Sequence, residues 1–188
     1  MIQGFDCATK LTSASAVKLK NAGFNFALRY LGNSWKSFDK AEVMIIQKAG
    51  LDLCSIYQTS ANNSSYFSKD QGKKDGRQAT TWANNVGQPK GSVIYFAVDY
   101  AADGRSQLNN VKSYFEGVKS TNKDFKVGAY GSYAVMEALK GFIDYYWQTD
   151  AWSNGIISSH VHLRQYQNNV TVEGIKVDKN EAYKPGIG

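Results

Sequence analysis

Short apolar runs alternate with stretches of helical periodicity along most of the 188-residue chain. Eight runs have the length and the β-branched or aromatic content of strands: residues 2–7, 24–31, 52–58, 93–99, 126–131, 145–149, 160–166 and 174–178. Alternation of this kind is typical of βαβ units, in which helices cover a parallel sheet. Eight such strands predict an α/β fold of the (β/α)8 barrel type.

The helical stretches between these strands become weaker toward the C-terminus. Residues 13–22, 40–49, 74–86 and 106–120 have helical patterns, and 133–140 has a short one. Asp39 is a candidate N-cap for the second of these helices. Residues 150–159 and 167–173 show no helical period. Because barrels of this type usually have about 250 residues, we predict one compact barrel domain over residues 1–188, with helices reduced or missing near its C-terminal end.

Strand parity suggests which side chains enter the barrel. In 24–30, Phe24, Phe26, Leu28 and Tyr30 lie on one face and Arg29 on the other; in 93–99, Asp99 lies opposite an apolar row. If the apolar rows face the outer helices, Arg29 and Asp99 point inward near the C-terminal strand ends. Catalytic groups of barrel enzymes lie at this end.

Three aspartates end predicted strands: Asp6 on the first, Asp99 on the fourth and Asp178 on the last. The first and last strands are neighbours in a closed barrel, so Asp6 and Asp178 should lie close together, with Asp99 across the mouth. Aspartates at strand ends also cap helices or bind loop amides. Carboxylates gathered in one mouth can raise each other's pKa, which can turn one of them into a proton donor.

Several motifs in this order resemble a known family. They are Gly4-Phe5-Asp6, Leu28-Arg29-Tyr30-Leu31, the segment 94–100 (IYFAVDY), Gly128-Ala129-Tyr130-Gly131 and Val177-Asp178. Together they resemble the DUF1906 glycoside-hydrolase-like family, which is similar to the family 25 lysozymes, the muramidases of phages and bacteria. The resemblance covers essentially the whole chain.

The resemblance implies candidate catalytic residues. Family 25 lysozymes have an Asp on the first strand, an Asp-x-Glu pair ending the fourth and an Asp on the last strand, and Asp6, Asp99 and Asp178 match these positions. The Glu, which is the expected general acid, is replaced by Ala101. The acid is then Asp103, Asp6 or Asp178, or is absent, and Asp103 could equally be a turn residue.

Aromatic and amide side chains near the predicted C-terminal strand ends could form a sugar groove. The aromatic residues are Tyr30, Trp35, Tyr57, Tyr100, Tyr130, Tyr133, Trp147 and Trp152. The candidate substrate-binding residues are Arg29, Tyr30, Tyr57, Gln58, Tyr100, Tyr130, Gln148, Trp152 and Gln165. Burial under a neighbouring loop is the alternative for each aromatic residue.

The formal charge of +6 favours an anionic partner. The lysines are scattered along the sequence, and no compact basic stripe indicates nucleic-acid binding. No apolar run is long enough to span a bilayer, so we expect neither nucleic acid nor membrane as a partner.

No metal or cofactor is expected. Cys7 and Cys54 are interpreted as small buried hydrophobic residues, with a bridge between them as the alternative. His160-x-His162 lacks a third ligand at a suggestive spacing.

The leading hypothesis is a lysozyme-like glycosidase acting on peptidoglycan or a related N-acetylated wall polysaccharide. The alternatives are a non-catalytic glycan-binding barrel that has lost its acid at Ala101, and a basic scaffold protein unrelated to sugars. We expect a monomer that acts outside the cell or in the wall. The N-terminus has no pattern of a signal peptide, so release of the endolysin type or storage in the cytoplasm stays open.

Overall fold

The computed structural model describes all residues from Met1 to Gly188. Its eight strands close into one barrel in chain order, with each strand hydrogen-bonded to the next. The strands are β1 Ile2–Asp6, β2 Phe26–Tyr30, β3 Asp52–Tyr57, β4 Val93–Ala97, β5 Lys126–Gly131, β6 Tyr145–Thr149, β7 Leu163–Val172 and β8 Ile175–Ala182. The compact α/β barrel predicted from the sequence is confirmed.

Five α-helices cover the barrel: α1 Ser13–Asn21, α2 Lys40–Lys48, α3 Lys69–Asn85, α4 Arg105–Thr121 and α5 Tyr133–Ala138. Asp39 caps α2, since its Oδ1 accepts a hydrogen bond from the amide of Glu42 at 2.9 Å. Only a 3-10 turn, Asp150–Trp152, precedes β7, and no helix separates β7 from β8. The predicted loss of helices near the C-terminus is therefore also confirmed. No helix is both long enough and apolar enough to cross a membrane.

The last strand runs in the opposite direction from the other seven. β8 is antiparallel both to β7 and to β1. The two strands of the β7–β8 hairpin are joined by Glu173 and Gly174, both at positive φ, and a connection this short can only link antiparallel strands. The sequence predicted that Asp178 ends the last strand. It lies in the interior of β8 instead, because this strand continues to Ala182.

α3 begins earlier than predicted. It starts at Lys69 after the N-cap Ser68, whereas the pattern indicated residue 74. A Cβ at Gly72 would overlap the carbonyl of Tyr114 in α4, and one at Gly117 of α4 would overlap the carbonyl of Lys69. These helical glycines allow close contact between the two helix backbones, and they also weaken the helical pattern of the sequence.

The parity prediction is correct for β4 and wrong for β2. In β4, Phe96 packs against Phe115 of α4 outside the barrel, and Asp99 follows the inner row. In β2 the apolar row enters the lumen, where Tyr30 lines a cavity and Phe26 packs over Gly4. The lumen of an eight-stranded barrel is itself filled by apolar side chains, so an apolar row does not identify the outer face.

Arg29 therefore points away from the lumen, toward α2. Its Nε lies 2.8 Å from Oε1 of Glu42, its Nη1 donates to the carbonyl of Cys7, and both charged side chains are fully buried. Glu42 Oε1 also accepts a hydrogen bond from the amide of Leu11 at 3.0 Å. This ion pair connects β2, α2 and the segment after β1. Cys7 and Cys54 are both buried as free thiols, so the bridge considered from the sequence is not formed.

Candidate functional site

A cavity of about 370 Å³ opens at the end of the barrel where the parallel strands have their C-termini. Asp6, Asp99 and Asp178 all line it. Asp6 is the last residue of β1, and Asp99 lies two residues beyond β4. Asp178 faces Asp6 directly across the antiparallel β1–β8 pairing. The strand directions thus bring the three carboxyl groups to a single mouth.

Asp6 is the most buried of the three carboxyl groups, with only 4% of its surface exposed. Its Oδ2 accepts hydrogen bonds from Gln165 Nε2 at 2.9 Å and from Asn180 Nδ2 at 2.8 Å. Burial, followed by repulsion from Asp178, raises the pKa of Asp6 to about 7, although the two amide donors act in the opposite direction. A carboxyl group of this pKa exchanges its proton near neutral pH.

The two amides that hold Asp6 are themselves held in one orientation. Gln165 Oε1 accepts hydrogen bonds from Tyr130 Oη at 2.9 Å, Thr149 Oγ1 at 3.0 Å and Asn168 Nδ2 at 3.1 Å. Three donors at the oxygen leave only the NH2 group of Gln165 to face Asp6.

Asn180 is oriented in the same way, because its Oδ1 accepts a hydrogen bond from Trp147 Nε1 at 2.8 Å. Both amides donate to Oδ2 of Asp6. The proton of the neutral acid must therefore be on Oδ1.

Asp99 is anchored by the loop that follows β3. Its Oδ2 accepts a hydrogen bond from Gln58 Nε2 at 2.9 Å, and its backbone amide donates to the carbonyl of Ala61 at 2.8 Å. Burial raises the pKa of Asp99, while the bond from Gln58 and the charge of Lys36 act in the opposite direction.

Asp178 is held by the β7–β8 hairpin. Its Oδ1 accepts a hydrogen bond from the amide of Asn169 at 2.6 Å, and its Oδ2 lies 3.4 Å from Gln165 Nε2. Burial raises its pKa, against the bond from Asn169 and the charge of Lys176. One amide group, that of Gln165, therefore contacts both Asp6 and Asp178.

The cavity has an aromatic rim and a single cation. Trp35 and Trp152 line the opening, and Trp35 is 79% exposed. Lys36 Nζ lies 4.1 Å from the ring centroid of Tyr30. An exposed indole beside a polar cavity provides the flat face on which a sugar ring can stack. No three acidic, histidine or cysteine side chains are arranged to hold a metal ion.

Ten of the residues singled out in the sequence line this cavity: Asp6, Tyr30, Trp35, Gln58, Asp99, Tyr130, Trp147, Trp152, Gln165 and Asp178. Three candidate binding residues point to the outside of the barrel instead. Arg29 is paired with Glu42, as described above. Tyr57 donates its hydroxyl to Asp75 of α3 at 3.0 Å, and Gln148 holds the 150–159 loop through the carbonyl of Ile156 and the amide of Ser158. Each of these three residues is adjacent along its strand to a residue that faces the lumen, and its own side chain therefore points outward.

The loop after β4 also differs from the prediction. Tyr100 packs against Phe67 rather than lining the cavity. Asp103 is exposed and is not among the cavity residues. Ala101 is exposed too, because β4 ends at Ala97 and strand parity does not continue to residue 101.

Four polar cavity or network residues were missed from the sequence: Lys36, Thr149, Asn168 and Asn180. Asn180 lies two residues after Asp178 and therefore on the same face of β8. The alternation of side chains along β8 could have identified Asn180, but the strand was predicted to end at residue 178. Lys36 lies in the connection after β2, whose path depends on the tertiary structure, and Asn168 lies in the part of β7 beyond residue 166, where the predicted strand ended.

The chain is similar in sequence to a longer bacterial protein. The chain is 39% identical over 135 residues to FadG, an uncharacterized protein of Bacillus subtilis (strain 168). The match covers 66% of this chain and 23% of FadG, so the chain spans about a quarter of that relative.

Two solved structures share the fold. The Tat-secreted protein Rv2525c of Mycobacterium tuberculosis, in complex with L-tartrate, superposes with a TM-score of 0.86 at 22% identity, over 100% of this chain and 97% of Rv2525c. The modular autolysin LytC from Streptococcus pneumoniae, in complex with a synthetic peptidoglycan ligand, gives a TM-score of 0.62 at 14% identity. That match covers 95% of this chain and 46% of LytC.

The sequence itself matches the model of a family that is named after the first of these two proteins. The match extends over residues 17–182, which includes seven of the eight strands and two of the three cavity aspartates. The chain therefore belongs to the Rv2525c-like, glycoside hydrolase-like domain family, the DUF1906 family.

Proposed function

We propose that this domain is a lysozyme-like glycosidase that acts on bacterial cell-wall glycan. The observation that carries the proposal is the convergence of Asp6, Asp99 and Asp178 in one cavity with an exposed Trp35 at its rim. Glycoside hydrolysis needs two carboxyl groups of different protonation state. The environments of Asp6 and Asp99 are different enough to provide them.

Asp6 is the proposed general acid. Its pKa of about 7 keeps much of it protonated at neutral pH, and its proton lies on Oδ1, the oxygen that receives no hydrogen bond from the protein. General acid catalysis typically contributes about 10²–10⁴-fold to a rate. In this proposal Asp6 takes the role that Ala101 cannot fill.

Asp99 is the proposed ionised partner. It is only half-buried, and Gln58 and Lys36 both favour its charged form. As the bond from the sugar C1 to the leaving oxygen breaks, Asp6 transfers its proton to that oxygen, and Asp99 stabilises the positive charge that develops on the sugar. A water molecule then adds to C1, releasing the proton that restores Asp6 and leaving a reducing end.

The rim of the cavity supports the proposed substrate class. Trp35 and Trp152 provide apolar faces for sugar rings, and Gln58 and Asn168 provide amide groups for hydroxyl or N-acetyl contacts. The structurally similar LytC was solved with a synthetic peptidoglycan ligand, and Rv2525c is a Tat-secreted protein. The likeness to LytC supports a wall polysaccharide as substrate, and the likeness to Rv2525c supports a site of action outside the cell. We also propose that the domain works as a monomer.

A non-catalytic glycan-binding barrel is the second candidate function. It is favoured by one observation: Ala101 and Asp103 both lie outside the cavity, so no carboxylate replaces the missing glutamate from the same loop.

Release of reducing ends from purified peptidoglycan distinguishes the two functions. The wild type is compared with Asp6→Asn, Asp99→Asn and the matched control Asp103→Asn, which changes an exposed aspartate outside the cavity. The glycosidase predicts turnover by the wild type and by Asp103→Asn, and a loss of about 10²-fold or more in the other two.

Binding of the same glycan without turnover would support the non-catalytic barrel. Full activity in Asp6→Asn would show that Asp6 is not the acid. If the wild type neither binds nor cleaves the glycan, the proposed function is wrong.

A further inference from the structure

Lysines that are scattered in the sequence meet on the outer surface around the turn between α5 and β6. Lys119 Nζ lies 4.4 Å from the ring centroid of Phe142 and donates to the carbonyl of that residue at 2.5 Å. Lys112 Nζ lies 5.9 Å from the same ring centroid. Lys126 Nζ lies 5.6 Å from the ring centroid of Tyr145. In each case the ammonium group itself lies over an aromatic ring, and the lysine is exposed at the surface.

Two more lysines complete this surface. Lys123 Nζ donates to the carbonyl of Lys119 at 3.1 Å, and Lys140 lies in the turn that carries Phe142. All five lysines are exposed. On α4, positions 112 and 119 are seven residues apart and therefore lie on the same helical face. We call this set the α4 basic patch: Lys112, Lys119, Lys123, Lys126 and Lys140.

The charge of the α4 basic patch is not neutralised by its neighbours. None of its lysines forms an ion pair with a carboxylate. Of the nearby acidic residues, Asp124 is paired with Lys90 at 3.3 Å and Glu116 with Lys69 of α3 at 3.2 Å. The other two are Asp144, whose Oδ2 accepts a hydrogen bond from the amide of Val127 at 2.8 Å, and Glu137, whose Oε1 accepts one from Ser158 Oγ at 2.8 Å. The five ammonium groups outnumber these four carboxylates, two of which are already paired with lysines outside the patch, and this leaves a local positive field.

The patch lies at the opposite end of the barrel from the carboxylate cavity. Lys126 is the first residue of β5, so it marks the N-terminal end of the strands, whereas Asp6 and Asp99 mark the C-terminal end. A polymer bound at the patch would therefore leave the cavity open.

We propose that the α4 basic patch binds a linear phosphodiester polymer without bases. Ammonium groups are compact point charges that pair with phosphate without a demanding geometry, and a row of them suits a regularly charged chain. Single-stranded nucleic acid, by contrast, is held by bases stacked on free aromatic faces. Here Phe142 and Tyr145 already carry ammonium groups over their rings, which favours a polyanion that presents only its backbone.

The test uses the whole chain and polyglycerol phosphate as the probe. The triple variant Lys112→Gln, Lys119→Gln and Lys126→Gln is compared with a control of equal charge change on α1 and α2: Lys18→Gln, Lys40→Gln and Lys48→Gln. The control lysines are exposed and form no ion pair. We expect the affinity of the patch variant to fall by about 10- to 100-fold and that of the control by less than about threefold.

A second variant distinguishes loss of binding from loss of folding. It is needed because the ammonium groups of Lys112 and Lys119 lie over the ring of Phe142, so their replacement could also affect stability. Lys123→Gln with Lys140→Gln touches no ring and should still weaken binding several-fold. Binding should decrease with added salt, and less steeply in the patch variant than in the wild type.

Three results would overturn the proposal. Equal losses in the patch variant and the control would show that only net charge matters. Binding of a DNA oligonucleotide of matched charge as tightly as polyglycerol phosphate, with the same dependence on the patch, would assign the surface to nucleic acid. If the wild type does not bind polyglycerol phosphate at physiological salt, the α4 basic patch is not a binding site for such a polymer. None of these results depends on whether the cavity cleaves glycan.

Discussion

Replacing the buried acid Asp6 by asparagine should stabilise the domain at alkaline pH. Asn keeps an oxygen that can accept the hydrogen bonds from Gln165 and Asn180, so the network around Oδ2 survives the change. What disappears is a carboxylate that is 4% exposed and faces Asp178. Unpaired buried charge of this kind opposes folding.

The size of the effect follows from the pKa of Asp6, which is about 7 in the folded protein against 3.8 for an ordinary aspartate. A difference of about 3 in pKa corresponds to about 4 kcal/mol. The folded state binds the proton more tightly, so the free energy of unfolding falls as the pH rises from about 4 to 7 and stays low above that. The penalty removed by Asp6→Asn is therefore largest above pH 7 and absent near pH 4.

Thermal unfolding at pH 5, 7 and 9 would measure this effect. Allowing for imperfect replacement of the carboxylate, we expect Asp6→Asn to gain about 2–4 kcal/mol at pH 9, or roughly 5–15 °C in Tm for a domain of this size. The gain should be much smaller at pH 5. Asp103→Asn, at an exposed position, should change Tm little at any pH. A destabilised Asp6→Asn at pH 9, or a gain that does not vary with pH, would refute the assignment of Asp6 as a buried acid of raised pKa.

Three further changes test the surroundings of the site. Arg29→Met leaves Glu42 buried without its partner and should cost about 3–5 kcal/mol in urea unfolding, much of which the double variant with Glu42→Leu should recover; an unchanged stability in Arg29→Met would contradict the buried pair. Gly128→Ala would place a Cβ 2.5 Å from Cδ1 of Tyr95 in the lumen, so we expect a loss of about 1–3 kcal/mol, and a neutral result would mean that the ring can move aside. Trp35→Ala should weaken glycan binding about tenfold or more with an unchanged Tm, because the side chain is 79% exposed; unchanged binding would show that Trp35 is not a sugar platform.

Strand order predicted the position of the carboxyl groups well, and strand parity predicted side-chain direction poorly. Asp6 and Asp99 come at or just after the ends of parallel strands, and such ends always meet at one mouth. Arg29 was misplaced because both surfaces of a barrel strand can be apolar. The partner that draws it outward, Glu42, lies on a different element and gives no signal in the strand itself.

The sequence by itself determined the elements of this protein and their order. Period-2 and helical patterns, the N-cap Asp39 and the helix-free C-terminal region are local features, and local features survive in any arrangement of the chain. The tertiary structure decided what depends on distance between elements. The reversed β8 sets Asp178 and Asn180 beside Asp6, and burial there gives Asp6 a pKa near neutrality. The same packing gathers five scattered lysines into one patch at the far end of the barrel, because charge and desolvation act through space and not along the chain.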